Sequence, residues 1–155
     1  MSQSRFDPGR LAAIYAGGVA GALARVGLAE AAPHGVASWP WATFAANMTG
    51  ALLLGVFVAA MRGHRAESRG FALLTTGVCG TLTTFATLQL ELFEMVDAGH
   101  LGLAAGYIAA TLVAGYLLVR AGLHIGSRGS FFAHTTTKEP TVVGDGQKMG
   151  GRPRP

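Results

Sequence analysis

Four long apolar segments dominate the pattern of hydrophobic and polar positions along the chain. No charged side chain occurs in residues 41–61, 71–90 or 101–119, and Arg25 is the only one in residues 11–29. A helix needs about 20 apolar residues to cross the hydrocarbon core of a bilayer. Buried helices of a soluble protein would show a polar face at helical period, which these segments lack. The pattern predicts an all-α membrane protein whose four transmembrane helices lie at about residues 11–31, 41–61, 71–95 and 101–124 of a single domain over residues 1–126.

Composition supports this interpretation and argues against a soluble enzyme. Only 13% of the 155 residues are charged and 50% are hydrophobic, whereas a soluble domain carries about 25% charged residues. The first apolar segment is long for a signal peptide, and three similar segments follow it. The chain has one cysteine and no glycine-rich phosphate loop, CxxC or HExxH motif, so neither a disulfide scaffold nor an enzyme is expected.

Residues 127–155 differ in character from the rest of the chain. They are rich in Gly, Pro, Thr and basic residues, a composition that predicts a disordered basic tail. Attraction to anionic lipid, worth about 1 kcal/mol per basic residue near the surface, is one interpretation. A tail without a function is the other.

The basic residues predict the orientation in the membrane. The connections over residues 30–40 and 91–100 contain no Lys or Arg, whereas the termini and the middle connection contain many. Since Lys and Arg accumulate on the cytoplasmic side, both termini are expected in the cytoplasm. The basic residues predicted to lie on the cytoplasmic side are Arg5, Arg10, Arg62, Arg65, Arg69, Arg120, Arg128 and those of the tail.

The third segment is a poor continuous helix. Residues 75–87 contain six threonines and two glycines, which disfavour helix. The composition predicts a helix broken near its middle. In a membrane such a break is tolerated where the freed carbonyls meet protein, water or an ion, and breaks recur at ion sites of transporters. A face of small residues for close helix packing is the alternative.

Four of the polar side chains inside the apolar segments are candidates for a functional role. Asn47 needs a partner because its unsatisfied burial is costly, and either an interhelical hydrogen bond or a polar passage would supply one. Tyr107 and Thr111 are four residues apart and share one helix face. Arg25 is either functional, as buried guanidinium groups usually are, or reaches the interface from near a helix end.

Two further patterns concern packing and charge. Glycines spaced GxxxG occur in the first and fourth segments, at Gly17 and Gly21 and at Gly102 and Gly106. This spacing predicts close helix packing. Glu91 and Glu94 follow the third apolar run and are expected to be solvated or to cap the helix.

Three ordered motifs carry a family resemblance that covers roughly residues 11–125. In the first three segments they read Gly17-Gly18-x-x-Gly21-Ala22-x-x-Arg25, Asn47-x-x-Gly50, and Gly77-x-Cys79-Gly80-x-Leu82-Thr83-Thr84-Phe85-x-Thr87 followed by Glu91. Together, in a chain with four short spans, they resemble the CrcB/Fluc family of small fluoride channels.

The resemblance implies an antiparallel two-fold dimer with two narrow pores and a central sodium ion. Backbone carbonyls of Gly80 and Thr83 would hold the sodium. The resemblance also implies a structural or interface role for Gly17, Gly21, Arg25 and Gly50, and it places on the fluoride path Asn47, Thr84, Phe85, Thr87, Tyr107 and Thr111. Fluoride is strongly hydrated, so amide, hydroxyl and N–H donors must replace its water, and the positive edge of the Phe85 ring can join them. The implied partners are fluoride, membrane lipid and a second subunit, with no nucleic acid.

Three positions depart from the family's pattern. Leu88 replaces a second phenylalanine, Ala86 replaces a serine, and Gly115 stands where members often place a hydroxyl. The strong charge bias also conflicts with a homodimer whose two copies insert in opposite directions. An oppositely oriented paralogue as partner would resolve both observations.

The leading prediction is therefore a channel that exports fluoride by passive electrodiffusion and so lowers its toxicity in the cytoplasm. A non-conducting or half-conducting subunit of a heterodimer is the first alternative. A small proton-coupled multidrug exporter is the second, but such proteins need an acidic residue inside the first span, and here the nearest is Glu30 at its end.

Overall fold

The computed structural model describes residues 7–61 and 68–134, with side chains described up to residue 128. In this part of the chain the helices are α1 (Pro8–Ala31), α2 (Trp41–Ala60), α3 (Arg69–Phe71), α4 (Gly80–Leu82), α5 (Phe85–Asp97) and α6 (Leu101–His134), and a π-helical segment, Ala72–Cys79, joins α3 to α4. The predictions for the arginines at positions 5, 62 and 65 and for the tail beyond residue 134 lie outside the described residues.

Four stretches of helix are long and apolar enough to cross a membrane, as the hydropathy pattern predicts. They are Pro8–Ala31, Trp41–Ala60, Arg69–Asp97 and Leu101–Arg128, which are called the first to fourth spans below. Their bounds lie within four residues of the predicted ones. The part of the chain that the structure describes is therefore all-helical, with four helices of the length and composition of a multi-pass membrane protein.

The first span begins at a well-capped helix terminus. The Asp7 carboxylate accepts a hydrogen bond from the Gly9 N–H at 2.9 Å, and Pro8 occupies the first turn, where it costs no hydrogen bond. The Arg69 guanidinium lies 3.4 Å from the same carboxylate and links the start of α3 to that of α1. The pKa of Asp7 is lowered from its ordinary value. Desolvation raises this pKa, but the hydrogen bonds from the N–H groups of Gly9 and Arg10 and the charge of Arg69 together lower it by more.

The last helix is longer than the sequence analysis predicts. Helix α6 continues to His134, whereas the tail is predicted to start at residue 127. The composition of residues 127–155, taken as a whole, hides a first part without proline, since the first proline after Leu101 is Pro140. The predicted tail therefore begins too early.

Glycines allow the helices to approach at the level of their backbones. A Cβ on Gly17 would collide with the Leu73 carbonyl, and one on Gly21 would collide with the Val78 carbonyl, so α1 lies directly against the third span. Helices α2 and α6 pack in the same way, with Gly55 against Val119. In lipid, where no hydrophobic effect drives helices together, such close contact is the main source of association.

The second GxxxG pair, Gly102 and Gly106, does not pack against another helix of the described residues. No atom of the described residues lies within 4 Å of a Cβ built on Gly102 or Gly106. On α6 this role falls instead to Gly122 and Gly126, which contact the α2 backbone. Gly122 and Gly126 have the same GxxxG spacing as Gly102 and Gly106, so the spacing by itself does not say which face of α6 meets α2.

The helical backbone of the third span is interrupted at Thr83 and Thr84. Thr83 has ψ 149° and Thr84 has φ −143° and ψ 120°, which are extended conformations between α4 and α5. The Thr83 hydroxyl donates to the Cys79 carbonyl at 2.9 Å, and the Thr84 hydroxyl caps α5 by accepting from the Thr87 N–H at 3.2 Å. The Cys79 carbonyl also accepts from the Thr83 N–H at 3.2 Å, so a threonine hydroxyl supplements a backbone bond before the interruption and replaces a backbone acceptor after it.

Candidate functional site

The Asn47 side chain is bound to the interruption in the third span. Its Oδ1 accepts a hydrogen bond from the Thr84 N–H at 2.8 Å, and its Nδ2 donates to the Thr84 carbonyl at 3.1 Å. Of the two interpretations open from the sequence, the structure therefore contains the interhelical hydrogen bond. One Nδ2 hydrogen and one Oδ1 lone pair take no part in this pairing.

The same bonds leave two carbonyls without their helical donors. In a continuous helix the Gly80 carbonyl would accept from the Thr84 N–H and the Thr83 carbonyl from the Thr87 N–H. Here the Thr84 N–H donates to Asn47 and the Thr87 N–H donates to the Thr84 hydroxyl. The Gly80 and Thr83 carbonyls are the two that the family resemblance assigns to sodium. Both lose their helical N–H donors, because those N–H groups donate to side chains instead.

The surroundings of these carbonyls suit a hard cation. A groove of about 280 Å³ is lined by both residues and by Gly50, Thr75 and Val119, among others. A Cβ on Gly50 would collide with the Thr83 methyl group, so a larger residue would force the Thr83 side chain out of its present position. Oxygen donors are the ligands that sodium and other hard cations prefer, and these two carbonyls therefore fit part of the coordination of the implied ion.

A second groove, of about 260 Å³, lies on the other side of the interruption. It brings together Asn47, Thr84, Phe85 and Thr111, which the sequence analysis places on one path. Phe85 is 70% exposed and its ring borders the opening. The Thr111 hydroxyl is buried and has no hydrogen-bond partner among the described residues.

Two residues that depart from the family's pattern line this second groove. They are Leu88 and Gly115. Leu88 is buried and packs with Met95, Ala104 and Tyr107 in a hydrophobic cluster. The wall of the groove is accordingly apolar on this side, and its hydroxyl donors are those of the threonines.

A third groove, of about 230 Å³, contains the Arg25 side chain. It is lined by Arg25, Thr43, Thr84 and Thr87, together with Val26, Ala29 and Ala42. The Thr84 and Thr87 hydroxyls lie 2.9 Å apart and are hydrogen-bonded. Arg25 forms no hydrogen bond or ion pair with the described residues, so its charge is available to this groove. An unpaired guanidinium among hydroxyls in an apolar span favours an anion.

Glu91 is the polar residue whose environment the sequence analysis predicts wrongly. Its side chain is only 6% exposed; it is not solvated, and it lies within α5 and not at the helix end. The Thr43 hydroxyl donates to Oε1, and the Tyr107 hydroxyl donates to Oε2 at 2.8 Å. The charged residues after the apolar segment suggested that the helix ends there in water. The helix instead continues to Asp97, and Glu91 lies on its buried side.

The predicted site residues thus divide into groups. Thr84 lines both the second and the third grooves. Tyr107 lines none of the three grooves; it is fully buried, and its hydroxyl donates a hydrogen bond to Glu91. Gly17 and Gly21 pack against the third span, away from the grooves. Thr43 and Glu91 were missed as part of this arrangement, although a lone threonine and a carboxylate beside long apolar runs were signals that could have drawn attention to them.

Comparison with known proteins agrees with this architecture. The family model described as "CrcB-like protein, Camphor Resistance (CrcB)" matches residues 12–123. A protein of Mycolicibacterium paratuberculosis named fluoride-specific ion channel FluC 1 is 44% identical over 118 residues, which cover 75% of this chain and 89% of the relative. A protein of the same name from Mycobacterium bovis is 45% identical over 114 residues, covering 73% and 86%.

A more distant relative matches over a similar length. The fluoride-specific ion channel FluC of Nitrobacter winogradskyi is 34% identical over 122 residues, covering 73% of this chain and 91% of the relative. The region that the family model matches contains most of all four spans and all three grooves. The chain is therefore a member of the CrcB family, a family of ion channels and not of enzymes.

Proposed function

We propose that this chain conducts fluoride across the bacterial inner membrane, out of the cytoplasm and by passive electrodiffusion. The names of its relatives support fluoride as the ion. The single observation that carries the proposal is the second groove, where an unpartnered buried hydroxyl, an amide and an exposed aromatic ring meet at the interruption of a transmembrane helix.

The chemistry of the second groove suits a small, strongly hydrated anion. The Thr111 hydroxyl has a proton to donate and no partner among the described residues. Asn47 keeps one Nδ2 hydrogen beyond its bond to Thr84. The Phe85 ring edge carries partial positive charge. Each of these donors can replace one water molecule around the fluoride ion. None of them has to transfer a proton to do so.

The Arg25 groove extends the same path to the other side of Thr84. A guanidinium remains charged at every physiological pH and raises the local anion concentration in a narrow, low-dielectric space. Thr84 lines both this groove and the second groove, and Thr87 lines this groove beside it. The role that fits Arg25 is therefore attraction of the anion, with transfer left to the uncharged donors.

A sodium ion at the Gly80 and Thr83 carbonyls is part of the proposal. When bound, it supplies fixed positive charge beside an anion path. The chain's own contribution is to hold the interruption open: Asn47 and Thr84 take the donors that would otherwise occupy these carbonyls. Two carbonyls are too few for a hard cation, and a second subunit related by two-fold symmetry would bring two more.

The proposed assembly is an antiparallel dimer, with both termini of this chain in the cytoplasm. Two candidate functions differ in the partner. With a second copy of itself the chain would form a homodimeric channel, and with an inverted paralogue it would be one subunit of a heterodimeric channel. The charge bias favours a paralogue, because the connections over residues 30–40 and 91–100 have no Lys or Arg. The apolar wall formed by Leu88 and Gly115 in the second groove favours the same answer, as a companion subunit would supply the missing donors.

The experiment is fluoride efflux from vesicles, followed with a fluoride electrode and driven by a potassium gradient with valinomycin. The purified chain is measured alone, and then together with the inverted paralogue from the same organism. Fluoride efflux without chloride efflux by the chain alone supports a homodimeric channel. Efflux from the mixture only supports the heterodimer. No efflux from either preparation contradicts the proposed function.

A further inference from the structure

The buried carboxylate of Glu91 has one titratable neighbour that the conduction path does not use. His34 lies in the connection between α1 and α2, and its Nε2 is 3.6 Å from Glu91 Oε1. The His34 side chain is 26% exposed and so can exchange protons with water. No Lys or Arg of the described residues forms an ion pair with Glu91.

The pair of His34 and Glu91 lies close enough to the Arg25 groove to act on the charge of an anion there. Thr43 donates to the same Oε1 atom that His34 approaches, and Thr43 lines the Arg25 groove. An ionised carboxylate one hydrogen bond behind that wall repels fluoride. A protonated imidazole beside it compensates the negative charge, and at short range in a low-dielectric environment this compensation is only weakly screened.

We propose that His34 is a proton-dependent counter-ion of Glu91 and that its protonation increases the fluoride flux. The proposal rests on the proposed function, since it assigns regulation to the same path. Histidine is the side chain whose charge changes in the physiological range, near about pH 6.5 when unperturbed. Acid outside a bacterium is the condition in which hydrogen fluoride enters fastest, so the sign of the effect matches the need for export.

Other titratable groups lie near this end of the molecule and must be considered. Tyr107 reaches Glu91 from α6, but its hydroxyl is the donor in a hydrogen bond and is fully buried. The side chains of the remaining groups form no hydrogen bond or ion pair with His34 or Glu91 within the described residues; they are Arg25 and Glu30 on α1, Glu94 and Asp97 on α5, and His100 before α6. Arg25 lines the same groove as Thr43 and keeps its charge at every physiological pH, so it gives no pH response of its own. His34 is therefore the group assigned to the pH response.

The test compares fluoride efflux at about pH 8 and about pH 5.5, with the same pH on both faces of the vesicle so that orientation does not matter. It uses whichever preparation conducts, the chain alone or with its paralogue. Efflux through the unmodified protein should rise roughly two- to fivefold at the lower pH, the range expected for one partly exposed ion pair. Protein-free vesicles measure the leak of hydrogen fluoride, which is subtracted.

Two substitutions at one position separate charge from structure. His34→Gln keeps a polar side chain without the charge, and its efflux should stay at the high-pH level throughout. His34→Arg keeps the charge at all pH values, and its efflux should stay at the low-pH level. His100→Gln, at the same end of the molecule, is the matched control and should keep the pH response of the unmodified protein.

The outcomes are distinguishable. A conducting preparation with no pH response, or a His34→Gln variant that keeps the response, overturns the role of His34 and leaves the proposed function intact. A response that is lost in His100→Gln but kept in His34→Gln assigns the effect to His100. No fluoride efflux at either pH, with or without the paralogue, overturns the proposed function together with this inference.

Discussion

Asn47 pairs with Thr84 through both atoms of its side-chain amide, accepting from the N–H at 2.8 Å and donating to the carbonyl at 3.1 Å. One residue of the second span thereby satisfies both backbone groups of a residue in the third. In a bilayer, where no water is available to do so, two unsatisfied backbone groups would be very costly. The interruption in the third span is therefore stabilised from outside its own helix.

Replacing Asn47 by leucine should abolish fluoride efflux and also weaken the subunit. The change removes a donor from the second groove and leaves the Thr84 N–H and carbonyl unpaired, at about 1–3 kcal/mol for each group. Efflux from vesicles and the midpoint of thermal unfolding in detergent measure the two effects. Met48→Leu, a volume-conserving change in the same groove, is the control. Efflux through Asn47→Leu at the unmodified rate would contradict the assignment.

Thr111 should respond to substitution in the opposite way. Thr111→Val removes a buried hydroxyl that has no partner among the described residues and keeps the shape of the side chain. The unfolding midpoint should therefore stay unchanged or rise, because no hydrogen bond is lost within the chain, while fluoride efflux falls at least roughly tenfold, the cost of one lost hydrogen bond to an ion. Thr111→Ser should retain most of the efflux. A Val variant that is less stable but conducts normally would indicate a structural hydroxyl.

Gly21 and Gly27 lie on the same helix and should differ sharply. A Cβ at Gly21 collides with the Val78 carbonyl and the Thr81 hydroxyl, whereas a Cβ at Gly27 has no neighbour within 4 Å. We expect Gly21→Ala to lower the free energy of unfolding by about 1–3 kcal/mol, the usual cost of overpacking. Gly27→Ala should be neutral or stabilising by up to about 1 kcal/mol, owing to helix propensity. Thermal unfolding in detergent compares them, and equal effects would argue against the close contact between α1 and the third span.

The ion pair between Asp7 and Arg69 should give stability that depends on pH. The pKa of Asp7 is lowered from its ordinary value of 3.8, so the contribution of this carboxylate is complete above that value. It disappears as the pH falls through the lower folded-state pKa. Asp7→Asn keeps an N-cap acceptor but not the charge. The difference in unfolding midpoint between the two proteins should be present at about pH 6 and shrink towards about pH 3; a constant difference would contradict the pairing.

The candidate site was only partly predictable from the sequence. Charge-free runs were enough to predict the spans and to single out Asn47 and Thr111 as polar side chains inside them, whereas Thr84 and Phe85 were added only by the family resemblance; all four line one groove. The buried position of Glu91 was not predictable, because its burial depends on Thr43 and Tyr107, which lie 48 and 16 residues away. The approach of His34 was not predictable for the same reason.

What the sequence determined by itself is the set of properties that depend on local composition. Transfer of apolar side chains into lipid is additive along a helix, so the number of spans follows from the order of the residues. The tertiary structure alone decided the partners of the polar groups. Asn47 could have bonded to several backbone groups, and Gly102 and Gly106 could have faced a helix, but the Gly55 and Gly122 contacts fix how α6 is turned against α2. A polar side chain in a membrane must find a partner, and only the packing of the helices determines which one lies within reach.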